Sequence, residues 1–362
     1  MNTVKSSWTE LTDFIEAHSC HWSLQPNDGE WGIHRLDDPP HNRLLGPVFE
    51  RGHTAGLIVQ HGDVLCEWGD IHRPDMTFSV TKTYLALVAG IAVDQGVLGS
   101  INESVYQSLH DRGLTTTGFE DKHNRGITWR HFLQFTSEWE GDCFGVPDQI
   151  DRYRAVSLQP TSGKHRKGDK RPLTAPGNYW EYNDVRINQF SLALMRLLDR
   201  PLPEVLHETI MQPLGASHQW KWHGYENSWV ENEQGRRLQS VPGGGHWGGG
   251  MVISAHDQYR VAQLMIDGGV HQGEQLISKQ WIDQMRTACE IAPWYGFFTW
   301  LNTGHGISRS ASEQSYFAMG IGGQLIWHDP VNSLVAVLRW IDMDHLEPML
   351  QMITKNSGTN CS

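Results

Sequence analysis

The sequence predicts an α/β half built from both ends of the chain, flanked by helices, with an all-α half inserted between its two parts. Strand-like segments occur at residues 54–69 and again after residue 250, whereas the chain between them has mostly helical patterns. The 362 residues, 39% hydrophobic and 19% charged, can bury a substantial core. We therefore assign residues 1–78 and 221–362 to the α/β half and 79–220 to the inserted helical domain.

Two elements are predicted before the helical part begins. The segment SWTELTDFIEAH at residues 7–18 has the apolar spacing of an amphipathic helix. The segment TAGLIVQHGDVLCEWG at residues 54–69 contains two short apolar runs separated by His61-Gly62-Asp63. A Gly-Asp turn between two such runs indicates a β-hairpin. The chain is thus expected to enter the sheet through this hairpin.

Helical patterns dominate the middle of the chain. Each of four segments places apolar residues at helical spacing, and the first of them ends at a glycine. They are TKTYLALVAGIAVDQG at 81–96, ITWRHFLQFTS at 127–137, VRINQFSLALMRLLD at 185–199 and PEVLHETIMQPLG at 203–215. Strand patterns are missing from this block, so it predicts a helical subdomain.

Strand patterns return after the glycine cluster PGGGHWGGG at residues 242–250. The predicted strands are MVIS, WYGFFTWLN, YFAMGIGGQLIWHD and SLVAVLRWID, with Asp329-Pro330 as the turn between the last two, and HLEPMLQMITKN is a predicted final helix. A sheet fed from both chain ends must bring residues 54 and 340 together in one layer. Small-molecule sites are common where two such halves meet.

The charge balance restricts the partners of this protein. A net charge of -12 gives no basic surface for a phosphate backbone, so we do not expect a nucleic-acid partner. The one basic run, GKHRKGDKR at residues 163–171, has neither apolar periodicity nor interleaved aromatic residues. Such a run is typical of a solvated flexible loop.

Cysteine usage and hydropathy predict the compartment. The five cysteines are odd in number, widely spaced and contain no Cys-x-x-Cys, which predicts free thiols in a reducing compartment. The first twenty residues lack the pattern of a signal peptide, and no stretch of about 18 apolar residues occurs. We expect a soluble cytoplasmic protein without a membrane partner.

The segment FSVTKTYLALVAG at residues 78–90 contains the first candidate catalytic pair, Ser79 and Lys82. A serine hydroxyl needs a base within hydrogen-bond reach, and a helix places residues i and i+3 on the same face. The apolar residues around Lys82 predict that its amine is desolvated, with a lowered pKa. The alternative interpretation is a helix cap followed by a surface lysine.

The segment PGNYWEYNDVRINQF at residues 176–190 gathers Tyr182, Asn183 and Asp184 at the start of a long amphipathic helix. A tyrosine there can pass a proton between Ser79 and a leaving group if a lysine stabilises its phenolate. The alternatives are an ordinary half-buried tyrosine and, for Asn183 or Asp184, a plain helix N-cap.

The segment FAMGIGGQLIWHDP at residues 317–330 reads as a strand interrupted by three glycines. Glycine within a strand marks either a β-bulge or the close approach of a ligand or another backbone. A backbone N–H at this edge, together with the N–H of Ser79, can form an oxyanion hole.

Metal chemistry is not expected, although the chain has 20 histidines. No His-Glu-x-x-His occurs, and His207-Glu208 has no second histidine one turn later. His246 beside Trp247, in the glycine cluster, is the histidine most able to face a cleft. The alternative interpretation, the more common one for a lone histidine in a loop, is a structural role. No cofactor is expected either.

The order and spacing of these motifs resemble the serine β-lactamase and penicillin-binding superfamily, of which Ser-x-x-Lys is a signature. The resemblance runs from about residue 54 to residue 340 and is strongest to the class C branch, with its carboxylesterases and 6-aminohexanoate-dimer hydrolases. It implies a β-lactamase-like fold, an antiparallel sheet flanked by helices with an inserted helical domain. It also implies an acyl-enzyme mechanism.

The resemblance implies a role for each candidate residue. Ser79 is the implied nucleophile, Lys82 its partner base and Tyr182 the proton shuttle, while the backbone N–H groups of Ser79 and Ile321 are the oxyanion donors. The residues expected to contact a small ester or amide substrate are Asp184, His246, Trp247 and Gly320.

Departures from the family pattern shape the expected activity. Lys-Thr-Gly is missing, and Ala318-Met319-Gly320 stands in its place, so the cation that grips the carboxylate of a β-lactam is absent. Asp184 stands where the family usually has Asn or Ser. We expect a hydrolase of small esters or linear amides. The alternatives are a D-amino-acid peptidase, a β-lactamase and a catalytically inactive binding homologue.

Overall fold

The computed structural model describes residues 7–26, 31–156 and 164–359. In chain order the strands are β1 Ala55–Gln60, β2 Asp63–Trp68, β3 Asp75–Met76, β4 Asp142–Cys143, β5 Val146–Pro147, β6 Lys221–His223, β7 Trp229–Glu231, β8 Arg237–Gln239, β9 Gly250–Ile253, β10 Val270–His271, β11 Glu274–Gln275, β12 Trp300–Leu301, β13 Tyr316–Gly320, β14 Gln324–Asp329 and β15 Leu334–Arg339. The α-helices are α1 Ser7–Ala17, α2 Thr81–Asp94, α3 Val105–His110, α4 Trp129–Leu133, α5 Asp184–Leu198, α6 Leu202–Leu206, α7 Ala255–Ile266, α8 Lys279–Met285 and α9 Leu346–Ser357.

The central layer is a six-stranded antiparallel sheet in the order β12-β13-β14-β15-β1-β2. Ala55 pairs with Arg339 across β1 and β15, so the predicted meeting of the two chain ends in one layer is confirmed. The hairpin of β1 and β2 and the turn after Asp329 are also confirmed. Helix α7 packs on β1, β14 and β15, and the terminal helices α1 and α9 pack on each other.

Helix α2 runs through the interior beside α5 and α6. Its residues are buried continuously from Thr81 to Ala92, because the helix is apolar on nearly every side rather than along one stripe. A single 3₁₀ turn, Phe78–Val80, precedes it. Lys82 is the charged exception in this buried stretch and therefore requires a partner.

Three of the strand predictions need correction. The glycine-rich segment 316–329 forms two strands, β13 and β14, because Gly322 and Gly323 adopt φ values of 78° and 72° and reverse the chain. The segment MVIS pairs with β3 and β6 in a separate three-stranded sheet and not with the main sheet.

The helical pattern at residues 127–137 yields only the short helix α4, and the left-handed residue Phe135, at φ 59°, lies just beyond its end. The segment WYGFFTWLN contributes only β12, and Phe298, at φ 48°, precedes that strand. Side chains of both phenylalanines are buried, and their packing outweighs the local preference for a continuous element. The tail helix and the first helix agree with the prediction.

Cysteines in the described part of the chain are free thiols, as predicted, and Cys361 lies outside that part. No helix among the described residues is both long and apolar enough to cross a membrane.

Candidate active site

Ser79 lies in the 3₁₀ turn at the head of α2 and lines a cavity of about 710 Å³. Its Oγ accepts a hydrogen bond of 3.1 Å from Lys82 Nζ, the geometry that the i, i+3 spacing predicted. The preceding residue, Phe78, has a φ of 49°, an unfavourable value for a bulky side chain. Edge-on packing against Trp22 and Trp340 holds the phenyl ring in place.

Lys82 is only 1% exposed, and its ammonium forms an ion pair of 2.5 Å with Asp184 Oδ1. Burial alone would lower the pKa of Lys82, but Asp184 and the Tyr182 hydroxyl outweigh burial and raise it. The predicted lowering of this pKa is therefore wrong, because no local pattern indicates that a carboxylate faces the amine. Lys82 is a cation that donates to Ser79 rather than a free base.

Asp184 begins α5 and binds two cations at once. Its Oδ2 lies 2.5 Å from Arg154 Nη1, while Oδ1 contacts Lys82. Burial would raise the pKa of Asp184, yet the charges of Lys82, Arg154 and His246 hold it well below its usual range. Asn183 is the N-cap, since its side-chain oxygen accepts from the backbone N–H groups of Val185 and Arg186.

A second layer of charges lies behind Asp184. His246 Nδ1 is 3.3 Å from Asp184 Oδ2, and its Nε2 is 3.0 Å from Asp37 Oδ2. Asp151 accepts from Arg154 at 3.3 Å and from the backbone N–H of Asp184 at 2.6 Å. Lys167 closes the network through ion pairs with Asp37 and Asp151.

This network corrects the prediction for the basic run. Gly163 lies outside the described residues, but Lys167 is nearly buried on Asp37, and Arg171 forms ion pairs with Glu138 and Glu181. The run is therefore not simply a solvated loop. Its lysine and arginine neutralise buried carboxylates that are distant in the sequence.

The ring of Tyr182 stacks between Phe135 and Trp300, with centroid distances of 4.4 and 5.8 Å. Lys82 Nζ lies 4.8 Å from the Tyr182 ring centroid, and the guanidinium carbon of Arg154 lies 5.0 Å from it. Among the described residues, the hydroxyl of Tyr182 has no hydrogen-bond partner. Tyr182 lines the same cavity as Ser79, so its hydroxyl is available to a ligand there.

The end of β13 lies against the turn that carries Ser79. A Cβ atom on Gly320 would collide with the carbonyl oxygen of Thr77 and would lie 3.2 Å from the backbone N of Ser79. Only glycine allows this approach, so the glycine that the sequence flagged is explained by close backbone contact. Ile321 follows it and lines the cavity beside Ser79.

The structure separates the residues that we expected to contact substrate. Gly320 lines the cavity, whereas Asp184, His246 and Trp247 are buried behind Lys82 and are not among the lining residues. Trp247 donates to Asp37 at 2.9 Å and thus belongs to the charge network. A substrate in the cavity as it stands would not touch these three side chains.

Two parts of the site were not predicted. One is Arg154, which lies in a segment without helix or strand periodicity. The other is the N-terminal segment Cys20–Trp22, which forms a cavity wall and is held there because Arg51 donates to the carbonyl groups of Cys20 and Trp22. Neither carries a local sequence signal, because both depend on contacts between distant segments.

Asp151, Asp184 and His246 could geometrically form a metal site, since their ligand atoms lie within 4.8 Å of one another. Arg154 Nη1, however, lies 3.3 Å from Asp151, 2.5 Å from Asp184 and 3.2 Å from His246. The guanidinium already occupies the position that a metal ion would take. This cluster therefore does not fit a metal.

Comparison with known proteins identifies the family. The Beta-lactamase family model matches residues 71–341. No curated protein matches the chain. Each solved structure compared below shares well under a quarter of its residues with this chain, so the likeness concerns the fold.

Similar solved structures cover most of the chain, as three examples show. A putative beta-lactamase from Bacteroides dorei has 16% identity over 87% of this chain and 94% of its own, with a TM-score of 0.60. A putative 6-aminohexanoate-dimer hydrolase from Bacillus anthracis has 15% identity over 84% and 78%, with a TM-score of 0.57. EstCE1, a hydrolase with promiscuous acyltransferase activity, has 16% identity over 96% and 98%, with a TM-score of 0.58. The predicted fold is confirmed.

The buried ion pair predicts a defined dependence of stability on pH. We expect Asp184→Asn to lower the free energy of unfolding by about 3–5 kcal/mol near neutral pH, because Lys82 loses its partner. The Asp184 pKa is lowered on folding, so its contribution is complete above the unfolded value of about 3.9 and is lost as the pH falls. The Lys82 pKa is raised, so its contribution is complete below about 10.4 and is lost as the pH rises further.

Denaturant unfolding of wild type and variant across this range measures the difference. Exposed Glu67→Gln removes the same charge and serves as the control. A constant difference between wild type and Asp184→Asn from about pH 3 to about pH 8 would contradict the ion pair.

Proposed function

The chain belongs to the beta-lactamase family, and from this premise we propose that it is a serine hydrolase that forms an acyl-enzyme on Ser79. The observation that carries the proposal is that Ser79 and Tyr182 line one cavity and that the buried ammonium of Lys82 contacts both of them. Ser79, at the head of α2, accepts a hydrogen bond from Lys82. Tyr182 lies just before α5, and the centre of its ring is 4.8 Å from the same ammonium. Nucleophilic catalysis by serine needs such a cluster.

In the proposed reaction, Ser79 Oγ attacks the carbonyl carbon of the substrate. Lys82 is already protonated, so the base in the proposed reaction is the phenolate form of Tyr182, which arises when its hydroxyl gives a proton to solvent. The phenolate takes the proton of Ser79, and the neighbouring ammonium offsets its negative charge. The backbone N–H groups of Ser79 and Ile321 hold the negative oxygen of the tetrahedral intermediate. Tyr182 then protonates the leaving alcohol or amine, and the ester bond to Ser79 remains.

Release of the product repeats these steps with water as the nucleophile. Water loses a proton to Tyr182 and attacks the acyl carbon, and the proton returns to Ser79 Oγ when the ester bond breaks. The enzyme returns to its starting state, and a free acid leaves. No group outside the described side chains is needed for the proton balance.

We assign small esters or linear amides as the substrate class. The cavity walls are largely apolar, with Trp22, Trp300 and Met319 among the lining residues. Residues Ala318–Gly320 supply no cation for a carboxylate, and the guanidinium of Arg154, which lines the cavity, is already paired with Asp151 and Asp184. Asp342 and Asp344 add negative charge to the rim. An uncharged acyl group suits these walls better than a β-lactam carboxylate does. The hydrolase activities named for two of the similar structures are consistent with this class.

Labelling with a serine-directed phosphonate tests the nucleophile. We expect stoichiometric addition to the wild type, with the mass increase located on the peptide that contains Ser79, and no addition to Ser79→Ala. Ser100→Ala, an exposed serine variant, should label like the wild type. A wild type that is folded but unlabelled would mean that the protein is not an acyl-enzyme hydrolase.

Gly244 provides a second test. A Cβ atom on this residue would lie 2.7 Å from Lys82 Nζ, so Gly244→Ala must displace the ammonium from its present position beside Ser79 and Asp184. We expect the labelling rate to fall about 100-fold, the effect of a displacement near 1 Å at a reacting group.

The neighbouring Gly243→Ala is the matched control for that variant. Its Cβ would press on Ile187 Cγ2 and not on Lys82. It should lower the melting temperature, while its folded fraction labels at nearly the wild-type rate. Equal labelling rates of the two variants, each corrected for folded fraction, would remove Lys82 from the proposed site.

A further inference from the structure

The carboxylate of Asp184 joins the only two cations that face Tyr182 in the described part of the chain. Oδ1 binds Lys82 and Oδ2 binds Arg154, each at 2.5 Å. Both cations also lie at about 5 Å from the centre of the Tyr182 ring, at 4.8 and 5.0 Å. One carboxylate therefore fixes two positive charges around one phenol.

A carboxylate is required for this arrangement. Both oxygens of Asp184 accept, so each can receive one cation. An asparagine amide has one oxygen and one NH₂ donor, and the donor would face either the Lys82 ammonium or the Arg154 guanidinium. An asparagine at this position would therefore leave one of the two cations without an acceptor.

The position of Arg154 gives the second observation. Its side chain is 7% exposed, lines the catalytic cavity, and uses Nη1 alone for its contacts with Asp151, Asp184 and His246. No hydrogen bond joins its Nε or Nη2 to any described residue. The guanidinium is thus anchored to the charge network through Nη1, and its carbon lies 5.0 Å from the centre of the Tyr182 ring.

We propose that Asp184 and Arg154 are a positioning pair that holds two positive charges, those of Lys82 and Arg154, beside the ring of Tyr182. The proposal rests on the proposed function, in which Tyr182 carries the proton. In that reaction both cations lie close enough to the ring to offset the negative charge of the Tyr182 phenolate.

A purely structural role is the competing explanation. Three buried carboxylates, Asp37, Asp151 and Asp184, face three cations, Lys82, Arg154 and Lys167, so Arg154 is also needed for charge balance. The other titratable groups near this pair are His246, beside Asp184, and Tyr295, whose ring centroid lies 6.5 Å from that of Tyr182. A structural role would change stability but not the pH at which Ser79 becomes reactive.

The pH profile of phosphonate labelling separates the two explanations. In Arg154→Gln, we expect the midpoint of the rise in labelling rate to lie at a pH about one unit or more higher than in the wild type, because Tyr182 has lost one of two neighbouring cations. Arg154→Lys keeps the charge, so its profile should stay within about half a unit of the wild type. An unchanged profile in folded Arg154→Gln would overturn the proposal.

Coupling between the two residues provides the second readout. We expect the fold-decrease in labelling rate caused by Asp184→Asn to be at least ten times smaller in the Arg154→Gln background than in the wild type. In that background the amide oxygen of the substituted side chain has to accept from Lys82 alone. Effects that multiply independently would contradict a pair. If Arg154→Gln does not fold, Asp151→Asn is combined with it to restore charge balance, and the pH profile of that double variant decides.

The outcomes also separate this proposal from the proposed function. Absence of label on wild-type Ser79 would overturn the acyl-enzyme itself. Labelling of wild type and Arg154→Lys, with an unshifted profile in the Arg154→Gln variant, would overturn only the positioning pair.

Discussion

The ion pair between Lys82 and Asp184 is the constraint on which the rest of the site depends. The Lys82 ammonium is 1% exposed and lies within an apolar helix, where its charged form is unstable unless it contacts an anion. Asp184 supplies that anion from the first residue of α5 and so ties α5 to α2. The carboxylate is itself buried and needs further cations. Arg154 and, through Asp151 and Asp37, Lys167 complete the neutralisation.

This constraint has a chemical consequence. A lysine surrounded only by apolar side chains would be a neutral amine and could accept the proton of Ser79. With Asp184 in contact, Lys82 is instead a cation that donates to Ser79 Oγ and lies 4.8 Å from the centre of the Tyr182 ring. In our account, the proton carrier is therefore Tyr182. The close approach of Gly244 and Gly320 fits this compact arrangement, because larger residues would separate its parts.

The sequence predicts the regular part of this structure well and the charge network poorly. The β1 and β15 strands, the buried helix α2 and the contact of Ser79 with Lys82 follow from periodicity and i, i+3 spacing, which are local properties. The hairpin between β13 and β14 was missed because positive φ at two glycines, not hydropathy, reverses the chain. Sequence patterns do not predict Arg154, Lys167 or the cavity wall formed by Cys20–Trp22, which Arg51 holds in place. The partners of these residues are distant in the sequence. The error in the sign of the Lys82 pKa shift has the same origin.

The protonation state of Lys82 tests the account most directly. Heteronuclear NMR of lysine-labelled protein, with the Lys82 signal assigned through its loss in Lys82→Met, reports whether Nζ carries two protons or three. The account predicts an ammonium signal from about pH 6 to about pH 9, without titration in between, in wild type but not in Asp184→Asn. A neutral Lys82 amine at pH near 7 in the wild type would contradict it.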